Sequence, residues 1–139
     1  NSVLDDPAKY YTDPEQALDF ATRTGVDALA IAVGTAHGHY KAKPKLDFDR
    51  IARIASLLSI PLVLHGGSGL SDSDFRTTIA RGISKVNIFT DINTAAATAA
   101  GVALASGKTA MTDLIPGEVD AVEAAVTEKL KLFGSTGRA

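Results

Sequence analysis

The apolar positions of this chain switch between two periods. From Tyr11 to Gly25, the residues Ala17, Phe20, Ala21 and Thr24 recur at three- and four-residue spacing, which predicts a helix. Asp13 stands where an N-cap is needed and Pro14 at the first helical position, where its missing N–H costs nothing; Gly25 can supply a left-handed stop. "DALAIAVGT" then predicts a strand, with Leu29, Ile31 and Val33 on one side and three alanines on the other. Such two-sided apolarity fits a strand covered on both faces. After Asp47, a second cap, the helical period returns with Ile51, Ile54, Ala55 and Leu58 as buried positions, and "PLVLHG" follows as a second strand. Ser71 caps a third helix with Phe75 and Ile79 facing inward and Gly82 ending it, and "KVNIFT" is a third strand. An alanine-rich helix follows over about Asp91 to Ala105, then a polar connection around Gly107 to Asp113. Pro116 opens a last helix carrying Val119, Val122, Val126 and Leu130.

The order α-β-α-β-α-β-α-α implies parallel β-α units and an α/β fold. Three strands are too few to close a barrel. They read either as the end of a (β/α)8 barrel whose earlier strands lie elsewhere or as a small open sheet. The length, 139 residues, suits one domain or a piece of one. The polar opening "NSVLDDPAKYY", without methionine, suggests a fragment. A formal net charge of −2 provides no general field for nucleic acid or an anionic membrane. Zero cysteines exclude a disulfide framework and thiolate chemistry. No apolar run reaches the roughly 18 residues that span a bilayer, and no basic-then-apolar leader opens the chain. A cytoplasmic location is therefore expected.

In parallel α/β proteins the chemistry sits at the C-terminal strand ends. Here those ends read "GTAHGHYK", "HGGSG" and "NIFT". His37 and His65 each follow a strand and precede a glycine, so two imidazoles from adjacent strand ends could share one metal. A catalytic zinc takes three protein ligands and keeps one position open, which leaves one ligand to be found. His39 could point the same way as His37, or stand on the loop without a metal role. Each strand-end histidine taken alone also reads as a hydrogen-bonded rim residue. "GGSG" ahead of a capped helix suits phosphate, through loop amides and the positive helix start, and it also reads as a turn that fixes the chain path. It is neither a Walker A loop nor GxGxxG. Asn87 shares a side of the third strand with Phe89 and is expected at the strand-end mouth, since asparagine is disfavoured in mid-strand unless its amide has a partner; it also reads as an internally satisfied residue bonding a neighbouring strand's loop. Lys41 is a phosphate cation or a solvated loop lysine.

"AIAVGTAHGHYK", "PLVLHGGSG" and "GISKVNIFTD", in this order and spacing, closely resemble the class II, metal-dependent ketose-bisphosphate aldolases, nearest to the fructose- and tagatose-bisphosphate branch. The likeness runs from the first helix to "GSTGRA". It implies the C-terminal part, about strands 6–8 with their helices, of a single (β/α)8 TIM-barrel domain, in a homo-oligomer. It implies that His37 and His65 are two of three zinc ligands. It implies that Gly38, Gly66, Gly67 and Ser68 cradle the phosphate of dihydroxyacetone phosphate, with Lys41 assisting and a monovalent cation nearby. Asn87, Ile88, Phe89 and Thr90 would form the other wall. The implied reaction is reversible cleavage of a ketose 1,6-bisphosphate to dihydroxyacetone phosphate and an aldehyde phosphate. The family's third zinc histidine, catalytic aspartate and proton-transfer glutamate have no counterpart here. A complementary N-terminal segment is therefore an expected partner, and the chain alone is expected to be inactive. Phe89 stands where fructose-specific members carry Asp, and "MTDLI" at 111–115 lacks the arginine that grips a second phosphate in several members. The alternatives are a non-catalytic phosphosugar-binding barrel subunit and a metal-dependent phosphosugar epimerase.

Overall fold

The computed structural model describes residues 7–36 and 44–138. The chain divides into two compact units, Asn1–Asn87 and Ile88–Ala139.

The first unit is α/β. After a short 3-10 turn at Pro7–Tyr10 come α1 (Pro14–Thr24), β1 (Leu29–Ala30), α2 (Phe48–Leu57), β2 (Leu62–Leu64), α3 (Asp72–Ala80) and β3 (Ile83–Val86). The strands are parallel in the order β1-β2-β3. All three residues of the central strand are buried. Around it Val33, Ile51, Ile54 and Phe75 lose essentially all contact with solvent. The three helix starts follow the cap chemistry expected from sequence. Asp13 accepts from the amides of Glu15 and Gln16, Asp47 from that of Arg50, and Ser71 and Asp74 form a reciprocal capping box. Gly25 ends α1 at φ +66°.

Two strands are shorter than their apolar patterns suggest. Ile31 still donates to Val63 O, 3.2 Å, but beyond it the backbone turns to other partners. Ala32 N–H donates to the Thr12 hydroxyl and Thr12 N–H to Ala32 O, both at 2.8 Å, while Asp47 N–H donates to Val33 O at 3.0 Å. Lateral sheet bonding thus gives way to pinning by the segments before α1 and before α2. The third strand begins earlier than "KVNIFT" and closes at Val86. Asn87 nevertheless extends the ladder, donating from its N–H to Leu64 O at 2.9 Å.

Asp47 joins this pinning to charge. Its carboxylate caps α2 and accepts from Arg50 Nε at 2.9 Å, while the guanidinium reaches Thr12 O at 3.1 Å and lies 5.6 Å from the Tyr11 ring centroid. Burial pushes the Asp47 carboxyl up, but the backbone and side-chain hydrogen bonds of Arg50 and its charge outweigh this and hold the pKa below the ordinary value. A depressed carboxyl pKa contributes stability above the unfolded-state pKa and loses it as pH falls through the folded one. Asp47→Ala is expected to cost about 1–2 kcal/mol at pH 7. The gap between variant and wild type should narrow below about pH 4. Urea unfolding of the complete protein across that range checks this; a gap independent of pH would contradict it.

The second unit is a helical pair, α4 (Thr90–Ala105) and α5 (Met111–Leu132), packed on one another. Lys129 Nζ lies 3.2 Å from Asp91 Oδ2 and links the end of α5 to the start of α4. The last helix begins at Met111, not at Pro116, so the end of the expected polar connection, Met111 to Asp113, is its first turn. Proline is accommodated there because its missing N–H removes only the bond to Thr112 O, one turn from a start whose amides lack intrahelical partners anyway. Leu114 is buried, whereas Val102, Leu104, Met111, Ile115, Val119 and Leu130 are exposed. No helix among the described residues is long and apolar enough to cross a membrane.

Candidate functional site at the strand ends

β2 delivers His65 at its C-terminal end. The register pairs Val63 with Lys85 and Leu64 with Val86, and the ladder bond from Asn87 carries the pairing on to His65 and Asn87. Side chains alternate across a strand, so Val63 and His65 share a face with Lys85 and Asn87.

His65 lines a cavity of about 260 Å³ with Ala30, Ile31, Ala32, Thr35 and Ala36. The Asn87 carboxamide nitrogen lies 3.3 Å from Nδ1 of His65 and 3.2 Å from its Nε2. Those two ring nitrogens flank a single carbon. An atom nearly equidistant from both at this range, and in the ring plane, would collide with that carbon. The amide nitrogen therefore sits off the plane, against the ring face. Such a contact steadies the ring without using an in-plane lone pair, the orbital a metal would need. Asn87 Oδ1 in turn accepts from Lys85 Nζ at 2.6 Å.

The glycine loop is shaped by close approach. Gly66 has φ +67°, and a Cβ there would overlap Ala36 O and lie 2.7 Å from the Ala36 carbonyl carbon. Gly67 donates its N–H to Asn87 O at 3.3 Å and accepts from Leu70 N–H, so it ties the loop to the end of β3. Ser68 is buried. At the start of α3 the Asp74 amide is taken by Ser71 Oγ, with Asp72 and Asp74 in the first turn suiting the helix dipole.

Of the residues expected from sequence, His65, Gly66, Gly67, Ser68 and Asn87 come together at the ends of β2 and β3. Ile88, Phe89 and Thr90 belong to the second unit. Phe89 occupies the N-cap position of α4, not a strand, and is 74% exposed; Asn93 Nδ2 donates to its carbonyl at 3.1 Å. His37, Gly38, His39 and Lys41 lie outside the described residues. Among the described residues no three His, Cys, Asp or Glu side chains converge as a metal-binding group. Sequence reading missed Lys85; two-residue alternation on β3, which places it beside Asn87, was the available signal.

A parallel sheet whose strand ends gather an imidazole, a carboxamide and a glycine loop is a scaffold of the α/β enzymes. The chain belongs to the class II fructose-bisphosphate aldolase family, whose family model matches residues 2–138. This family is generally zinc-dependent. YdjI of Escherichia coli K12, named an uncharacterized protein, is 45% identical over 131 residues, covering 94% of this chain and 46% of that protein. The crystal structure of the YdjI aldolase superposes with a TM-score of 0.85 at 44% identity, over 93% of this chain and 48% of that one. A Coccidioides immitis protein described as a candidate fructose-1,6-biphosphate aldolase gives 0.83 at 31% identity, over 92% and 45%. The chain thus spans about half the length of the relatives it matches.

Proposed function

We propose that this chain is the C-terminal portion of a (β/α)8-barrel domain in a metal-dependent aldolase. The enzyme would reversibly cleave a ketose 1,6-bisphosphate to dihydroxyacetone phosphate and an aldehyde phosphate. The observation that carries the reading is the position of His65: at a parallel strand end, beside an open cavity and steadied by Asn87. An imidazole so held fits zinc. In this reading His37 is the second ligand, and the third, with the acid–base residues, comes from a segment N-terminal to Asn1. Bound there, zinc would supply Lewis-acid polarisation of the ketone carbonyl.

The chain's own residues then bind and orient. Gly66 brings bare backbone close to the cavity rim, and Gly38 and the Ser68 hydroxyl join it around the phosphate, with Gly67 fastening the loop to β3. Lys41 adds charge, and a monovalent cation could share the anion. Fixing the phosphate fixes the reacting carbons, so remote binding energy supplies orientation. The Asn87 carboxamide presents N–H donors on the His65 side, suited to an oxygen that gains negative charge. Ile88, Phe89 and Thr90 would border the sugar, with Phe89 bearing on which ketose is accepted. The apolar side chains exposed on α4 and α5 support an assembly in which more polypeptide, including further copies, covers them.

The test is a coupled assay on the complete, zinc-replete protein with fructose and tagatose 1,6-bisphosphates, with and without chelator. Chelator-sensitive release of triose phosphate is expected. Epimer interconversion without triose phosphate, or binding without turnover, would replace the aldolase reading with an epimerase or a binding subunit.

A further inference from the structure

We propose that Lys85 is a positioning residue that fixes the polarity of the Asn87 carboxamide; its catalytic consequence rests on the aldolase reading above. A carboxamide has two orientations of nearly equal shape and opposite polarity. An ammonium group can only donate. With Lys85 Nζ 2.6 Å from Asn87, the atom facing it is the oxygen, and the nitrogen must face His65. The short separation marks a charge-assisted bond, stronger than one between neutral groups. The arrangement is built into the sheet, because Lys85 and Asn87 are two residues apart and share one face with Val63 and His65.

The consequence is a fixed donor at the strand-end mouth. With Lys85 in place, an oxygen acquiring negative charge beside His65 meets N–H groups. Without it the carboxamide can turn over and present its own oxygen to the same point, replacing attraction by repulsion. Preorganised donors of this kind act on the transition state more than on bound substrate. The loss should therefore fall on kcat rather than KM.

In the complete protein, Lys85→Met is expected to lower kcat about 10- to 100-fold, the range typical of groups that orient a site from behind. KM should change by less than about threefold, and bound zinc and the unfolding midpoint should stay at wild-type values. Lys85→Arg, which also only donates, should recover most of the loss. In an Asn87→Ala background, Lys85→Met should have less than about a twofold further effect, since the group it orients is gone. Losses that multiply in the double variant, or no loss in Lys85→Met, overturn the proposal. A readout independent of turnover is the NMR signal of the Asn87 side-chain amide and of the His65 ring nitrogens. Both should move in Lys85→Met and return in Lys85→Arg, and unchanged signals overturn the proposal whatever the enzyme does. Absence of aldol cleavage in the wild type, with these signals still moving, would refute the aldolase reading and leave the positioning role standing.

Discussion

Replacing His65 with alanine is expected to strip zinc from the complete protein and to lower kcat/KM for aldol cleavage by about a thousandfold or more. Lewis-acid stabilisation of a developing charge contributes several kcal/mol, and about 4 kcal/mol corresponds to three powers of ten in rate. The fold should barely notice. His65 is only half-buried and borders an open cavity rather than the core formed by Leu62, Leu64, Ile51, Ile54 and Phe75. Metal analysis and urea unfolding separate the two effects: zinc should vanish while the midpoint stays near that of the wild type. One tightly held zinc per chain in the variant would remove His65 from the ligand set. An unfolding midpoint that collapses would instead mark the ring as structural.

Gly66→Ala should strongly destabilise the protein for the addition of a single methyl group. A left-handed backbone costs an L-residue about 1–2 kcal/mol, and Gly66 has φ +67°. Gly25 provides the comparison: its φ is nearly the same, +66°, but a Cβ there meets nothing within 4 Å. Gly25→Ala should therefore show the conformational cost alone. At Gly66 the methyl also drives into the Ala36 backbone, which cannot rotate away as a side chain could. Overpacking of that kind adds about 1–3 kcal/mol, and together with the conformational cost of about 1–2 kcal/mol the total is about 2–5 kcal/mol. That is a large share of the 5–15 kcal/mol typical of a folded protein. Equal unfolding penalties for the two variants would refute the close approach between the glycine loop and Ala36.

What could be read from sequence was what depends on neighbours in the chain. The caps at Asp13, Asp47 and Ser71, and the stop at Gly25, form within a few residues and appear as expected. Strand lengths depend on partners far away, which is why β1 is so short: Thr12 and Asp47 take the hydrogen bonds that the pattern of Ile31 and Val33 assigned to a sheet. Pro116 misled for a related reason, since a proline near a helix start is tolerated at more than one position. In the site, His65 and Asn87 were legible because strand alternation and strand-end chemistry are both local. Lys85 was not, because an isolated lysine on a strand usually signals a solvated edge, and only its distance to Asn87 distinguishes it. Phe89 was assigned to a strand that ends three residues sooner.

The alanines beside His65 have a thermodynamic meaning of their own. Ala30, Ala32 and Ala36 have no side-chain rotamers to freeze, so this wall of the cavity incurs no side-chain entropy cost when something binds against it. Nor can it swing aside to admit a bulkier guest. Discrimination along that wall is therefore set by volume, with methyl groups defining the boundary, and a substitution to valine or leucine would act as a fixed stop and not as an adjustable contact.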